Sequence, residues 1–198
     1  GGAGVGTALV VPGPGLLNAS AGLATAYSAS SPVLMVAGQV ERDMIGSNRG
    51  ALHEVNDQLE AIKTVTKWAS RVLDAVDVPE AVHEAFQQLN TGRPRPVEIE
   101  FPPDTLAEIA EVELREPGIY ERPAADPKSV RLGAEALAAA ERPLIWAGGG
   151  VISSGASAAL VKVAEHLQAP VVTSAEGKGS ISDRHYLSLG MPNWKPDS

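Results

Sequence analysis

Residues 8–39 read ALVVPGPGLLNASAGLATAYSASSPVLMVAGQ, and this stretch decides the fold. An apolar run over 8–11 stops abruptly at Pro12-Gly13-Pro14-Gly15. Two prolines remove backbone donors and two glycines admit unusual backbone angles, so neither strand nor helix is expected to run through the turn. Asn18 stands where a helix N-cap is wanted, its side-chain oxygen placed to accept from a first-turn amide. Small residues follow (Ala19, Ala21, Gly22, Ala24, Ala26), which let a helix lie close to whatever covers it. Pro32 stops that helix, and residues 33–37 read as a strand buried on both faces, closed by the polar carboxyl end Gly38-Gln39. The expected unit is βαβ, with a rigid turn at the carboxyl end of its first strand, where open α/β sheets bind ligands.

Outward from this unit the α/β rhythm continues. Residues 39–57 are polar and punctuated by Gly46 and Gly50, and a helical pattern is expected from Ala51 through Leu59. Residues 62–68 are β-rich with lysines interleaved, which reads as a short edge strand with solvated cations. Pro79, just behind Asp77, opens a helix with Val82, Ala85, Phe86 and Leu89 on one face, and Gly92 suits its left-handed end. Residues 96–101 set Val97, Ile99 and Phe101 against Glu98 and Glu100, which predicts a strand with one face less buried.

Residues 1–103 are therefore read as one α/β domain missing its start, and 104–126 as a polar, proline-interrupted surface linker. Residues 127–198 are read as a second, truncated domain. Its expected order is a helix over 128–141, a strand over 144–147, the turn Gly148-Gly149-Gly150, a helix over 154–168 and a strand over 170–173. That is the order of a nucleotide-binding unit, whose helix-start amides hold a phosphate, although the spacing of Gly148, Gly150 and Gly155 departs from the strict dinucleotide fingerprint. The opening GGAGVG precedes a strand rather than following one, so it reads as a turn or linker. The 175–180 stretch lacks the glycine spacing of a P-loop, and His166 and His185 read as surface groups.

Composition narrows the function classes. The chain has 198 residues, no cysteine and a formal charge of −8, so a disulfide framework and a thiolate metal site are excluded. No basic cluster offsets the negative charge, which argues against nucleic acid or an anionic membrane as partner. No apolar run approaches a membrane span and no signal-peptide pattern occurs, so a cytoplasmic location is the expectation. The sequence opens on Gly1-Gly2-Ala3-Gly4 without a methionine, directly before a core strand, and truncation is expected from that alone.

The segments GPGLLN, GLATAY, SPVLMVAGQV, IGSNRGALHE, DQ, VTKW and GRPRPVEIEFPPD follow one another over about a hundred residues. In order and spacing they resemble the thiamine-diphosphate enzymes of the acetolactate synthase and glyoxylate carboligase type. The resemblance implies a parallel-sheet pyrimidine-binding domain followed by a Rossmann-like middle domain, both incomplete. It implies a full-length parent that is a transferase or lyase, a carboligase or decarboxylase of 2-oxo acids, working as a homodimer or homotetramer. Thiamine diphosphate with magnesium is the implied cofactor, most of its contacts falling outside this chain, and FAD is a candidate at Gly148, Gly149 and Gly150.

By the same resemblance Pro14, Gly15, Asn18 and Gln39 line the pyrimidine side, and His53 lies near the reacting carbon. Acetolactate synthases usually carry glutamine at the position of His53. A histidine there is either an acid or base working near neutral pH or only a hydrogen-bonding loop residue. The family's activating glutamate and its magnesium motif are not matched here, so the isolated stretch is expected to be inactive. The alternative is a non-catalytic α/β nucleotide-binding or regulatory module that shares the architecture alone.

Overall fold

The computed structural model describes residues 4–121 and 123–192. The chain divides into two compact units, Ala3–Arg122 and Pro123–Ser198. Among the described residues no helix is long and apolar enough to cross a membrane.

The first unit is built on a parallel sheet. Strand β1 is Gly6–Val10, helix α1 is Pro14–Ser28 and strand β2 is Val33–Gly38. Then come helix α2 (Gln58–Lys63), strand β3 (Trp68–Arg71), helix α3 (Val78–Asn90), strand β4 (Val97–Phe101) and the short helix α4 (Pro103–Ala107). The described strands pair in the order β1-β2-β4-β3, all parallel. Because paired residues share a face, Val10, Ala37, Glu100 and Arg71 form one rank across the carboxyl ends of the four strands.

Each face of the sheet has its own core. Leu34, Val97, Ile99 and Phe101 pack with Ala85 and Leu89 of α3 on one side. Met35 and Ala37 pack with Leu16 and Leu23 of α1 and Ile62 of α2 on the other. The helix α1 starts at Pro14, four residues ahead of Asn18. Proline at the first helical position loses no helical hydrogen bond and already holds the right φ, so the turn's second proline begins the helix instead of delaying it. Asn18 is therefore an exposed interior residue of α1 and not its cap.

Three further expectations need correction. The lysines at 63 and 67 do not sit on one strand: Lys63 ends α2, and β3 begins only at Trp68. Lys67 is half-buried instead of free in solvent, for its ammonium donates to the carbonyls of Gln88 and Thr91 at 2.6 Å each, closing the C-terminal end of α3. Both faces of β4 are buried, Glu98 and Glu100 included, because α1 and α2 cover the side that alternation marked as wetter.

The second unit carries helix α5 (Pro127–Ala138), strand β5 (Ile145–Ala147), the short helix α6 (Gly149–Ser153), helix α7 (Ser157–Leu167), strand β6 (Val171–Thr173) and strand β7 (Ser188–Gly190). Its described strands form a parallel sheet in the order β5-β6-β7 around Ala147, Ala164, Val171, Ile181 and Leu187. Asp126 caps α5 by accepting from the Ser129 amide at 2.9 Å. The three-residue β7 is too short and too mixed to show a period in the sequence.

The two-sided burial of β4 makes a direct test. Ile99 is 1% exposed, whereas Leu9 on the edge strand β1 is 81% exposed. Ile99→Ala is expected to destabilise the first unit by about 2–5 kcal/mol, and Leu9→Ala by no more than about 0.5 kcal/mol. Hydrogen exchange of the β4 amides under increasing urea measures both; equal effects would contradict the described core.

Candidate functional site at the carboxyl edge of the first sheet

Glu100, one residue before the end of β4, has no exposure. A buried carboxylate is tolerated only when donors surround it. Here Arg71 Nε of β3 donates to Oε1, Gln39 Nε2 donates to the same oxygen at 3.1 Å, and Gln58 Nε2 donates to Oε2 at 2.7 Å. Arg71 also reaches Asp57 at 3.4 Å, and Asp57 caps α2 by accepting from the Glu60 amide at 3.2 Å.

Gln58 carries the constraint onward. Its Nε2 also donates to the carbonyl of Gly38 at 2.8 Å, and its Oε1 accepts from the Gly13 amide at 2.9 Å. The turn after β1 is thus tied through one buried side chain to the ends of β2 and β4. Gly13 has φ of 54°, and a Cβ there would collide with the carbonyl oxygen of His53. A Cβ on Gly38 would sit 2.9 Å from Cδ of Pro12. Only glycine allows the turn to be closed in from these two sides.

The loop over 39–57 folds back onto this turn. Arg42 pins one end, its Nε donating to Asp104 at 2.7 Å and a terminal nitrogen donating to the Leu73 carbonyl at 2.9 Å. That hydrogen bond and charge hold the Asp104 carboxyl below its ordinary range. At the other end Glu54 accepts from the amides of Gly50 at 2.6 Å and Ala51 at 2.9 Å. These amides, Ala51 foremost, hold the Glu54 carboxyl below its ordinary range as well. The expected helix from Ala51 to Leu59 does not form over residues 51–57. His53 adopts φ of 68°, a left-handed value that interrupts any helix, and α2 begins only behind the Asp57 cap.

The sequence-derived candidates are distributed as follows. The backbone of His53, the turn containing Pro14 and Gly15, and Gln39 converge on the carboxyl edge. The Gln39 amide is committed to Glu100, and its Oε1 accepts from the Val40 amide at 2.8 Å. The side chains of His53, half-buried, and Asn18, exposed, take no hydrogen bond among the described residues. Gly148, Gly149 and Gly150 belong to the second unit, where Gly148 precedes α6 and Gly149 lies under Glu176. Sequence reasoning missed the roles of Gln58, Glu100, Arg71 and Glu54. A glutamine on the covered face of an amphipathic helix, and glutamates inside an apolar strand, were the available signals.

The depressed Glu54 carboxyl gives a pH dependence with a definite sign. Its bonds to the loop amides are present above the ordinary carboxyl value of 4.5 and are lost as pH falls through the lower folded value. The amide proton shifts of Gly50 and Ala51 are expected to titrate below 4.5 and to become flat in Glu54→Gln. Unchanged titration in the variant would remove Glu54 from the loop's support.

The chain is similar to known proteins over most of its length. Residues 2–61 match the N-terminal TPP binding domain of thiamine pyrophosphate enzymes, and residues 130–196 match the central domain of thiamine pyrophosphate enzymes. The chain is 39% identical over 195 residues to a probable acetolactate synthase large subunit of Methanocaldococcus jannaschii, covering 94% of this chain and 32% of that one. It is 37% identical over 196 residues to glyoxylate carboligase of Escherichia coli O157:H7, covering 94% of this chain and 31% of that one. The crystal structure of benzoylformate decarboxylase from Polynucleobacter necessarius superposes with a TM-score of 0.84 at 26% identity, covering 95% of this chain and 35% of that one. The chain spans about a third of the length of the curated relatives it matches. Two domain matches in family order, on two parallel α/β units, lead to a single assignment: the chain belongs to the thiamine pyrophosphate enzymes and carries sequence of their N-terminal and central domains.

Proposed function

We propose that the full-length parent is a thiamine-diphosphate-dependent carboligase or decarboxylase of 2-oxo acids, and that this chain supplies part of its pyrimidine side. The observation that carries this reading is the pair of domain matches in family order, with relatives named as acetolactate synthase and glyoxylate carboligase. The chemistry supplied with the cofactor is an electron sink for loss of carbon dioxide from a 2-oxo acid. Uncharged groups gather at the turn: an exposed Pro14, a half-buried Gly15, and the backbone carbonyl of His53 against Gly13. That set fits an uncharged aminopyrimidine ring. In this reading the Gln58–Glu100 network fixes the turn, Gln39 closes one side, and His53 holds or moves a proton at its ring nitrogen.

The magnesium ion and the diphosphate are assigned to parts of the parent beyond this chain. Among the described residues no three His, Cys, Asp or Glu side chains gather as a cation site would need. In the second unit, Gly148 follows β5 and caps α6, and Gly149 and Gly150 form the first turn of that helix instead of the expected glycine turn; FAD is the nucleotide we assign at this carboxyl edge of the parallel sheet. A homodimer or homotetramer in the cytoplasm completes the proposal.

Product analysis of the full-length enzyme with pyruvate, glyoxylate and aromatic 2-oxo acids tests it. Carbon dioxide release that depends on thiamine diphosphate is expected with at least one of them, and none with any would overturn the reading. His53→Ala is expected to lower turnover by about a hundredfold or more while leaving cofactor affinity nearly unchanged. His53→Gln should recover part of any carboligation. Near-full turnover of His53→Ala at every pH would make the histidine a loop residue only. Asn18→Ala replaces an exposed mid-helix residue, so the melting temperature should not fall; weaker thiamine diphosphate binding alone would place Asn18 at the cofactor.

A further inference from the structure

Glu98 and Glu100 stand two residues apart on the same face of β4, and neither is exposed. Their surroundings differ sharply. Glu100 takes donors from Arg71, Gln58 and Gln39. Neither carboxyl oxygen of Glu98 has a hydrogen-bond partner among the described residues. Its neighbours in register are Met35 on β2 and Ala69 on β3, and the core on this face is formed by Leu16, Leu23 and Ile62.

No cation on the elements packed here is left for it. Strand β2 carries no titratable side chain. On α1 the titratable group is Tyr27, whose hydroxyl accepts from Arg95. On α2, Glu60 and Lys63 are exposed and paired with each other. On β3, Arg71 is already shared between Glu100 and Asp57. A negative charge on Glu98 would be buried, unsolvated and beside a second carboxylate, an arrangement that proteins relieve by keeping the proton.

We propose that Glu98 is a built-in proton store: it folds as a neutral carboxylic acid behind Glu100 and makes the integrity of the Gly13–Gln58–Glu100 network depend on pH. Burial, and then the charge of Glu100, push the Glu98 carboxyl up to about 9 from an ordinary 4.5, with Arg71 opposing. The folded value is the raised one. Stability from this site is therefore complete below 4.5 and is lost progressively as pH climbs through about 9. Between those limits the folded chain holds one proton that the unfolded chain releases, so the unfolding equilibrium constant rises about tenfold per pH unit. Above them, two charges on one buried face compete for Arg71, and the donors that fix Gln58 and the turn are drawn apart.

The test uses the full-length protein and reads unfolding of this unit by hydrogen exchange of β4 amides under urea, across the window from 4.5 to about 9. The tenfold-per-unit slope is expected in the wild type and is expected to vanish in Glu98→Gln, which keeps shape without a titrating proton. Equal slopes in the two would overturn the proposal. A direct readout needs no variant: with carboxyl-labelled glutamate, one wild-type carboxyl should remain protonated at neutral pH and titrate near 9. If no glutamate carboxyl titrates above the ordinary range, Glu98 is not a proton store, whatever the stability of the variant.

Discussion

One buried carboxylate governs the carboxyl edge of the first sheet. Glu100 has no exposure, so its position is tolerable only while Arg71, Gln58 and Gln39 all donate to it. Those donors come from β3, from the first residue of α2 and from the residue after β2, so a single side chain fixes three elements to β4. Gln58 then passes the constraint to Gly13, which begins the turn into α1. The turn is held by remote polar groups and by glycine's lack of a Cβ, leaving its own outward surface free of structural duty.

The loop over 39–57 completes the frame by a different device. It is closed by charge: Arg42 on Asp104 at one end, Glu54 on the Gly50 and Ala51 amides at the other. Charge-assisted bonds of this kind fix geometry where packing cannot. The left-handed backbone of His53 is carried by that closure and brings its carbonyl against Gly13. A loop residue held in a sparsely populated conformation beside a ligand-prone sheet edge is a reason to examine His53 for function.

The frame of the fold was legible because it rests on local rules. Prolines 12, 14 and 32 punctuate strand and helix, residues 33–37 are uniformly apolar, and Asp77-Val78-Pro79 announces α3. The Asn18 error is local: a proline at the first helical position was as readable at Pro14 as at Pro79. The other errors share one cause, which is that tertiary partners are invisible to local pattern. Glu98 and Glu100 resembled a wet face because alternation cannot show the covering helices. Lys67 resembled a solvated cation because the end of α3 reaches it only in three dimensions. At the carboxyl edge, Gln39 and His53 were singled out only by resemblance, whereas Gln58 and Arg71, which local pattern could not show, act through partners 42 and 29 residues away.

The central claim is that Glu100 and Gln58 act as one unit in holding the turn, and a double-mutant cycle measures this most directly. Glu100→Leu, Gln58→Leu and the double variant are compared by unfolding of the first unit. Removing either partner strands the other in the core, so each single change should be strongly destabilising. The account predicts that the double variant is less destabilised than the sum of the two, by at least about 1 kcal/mol. Additivity within about 0.5 kcal/mol would contradict it and would show the two side chains to be independent neighbours.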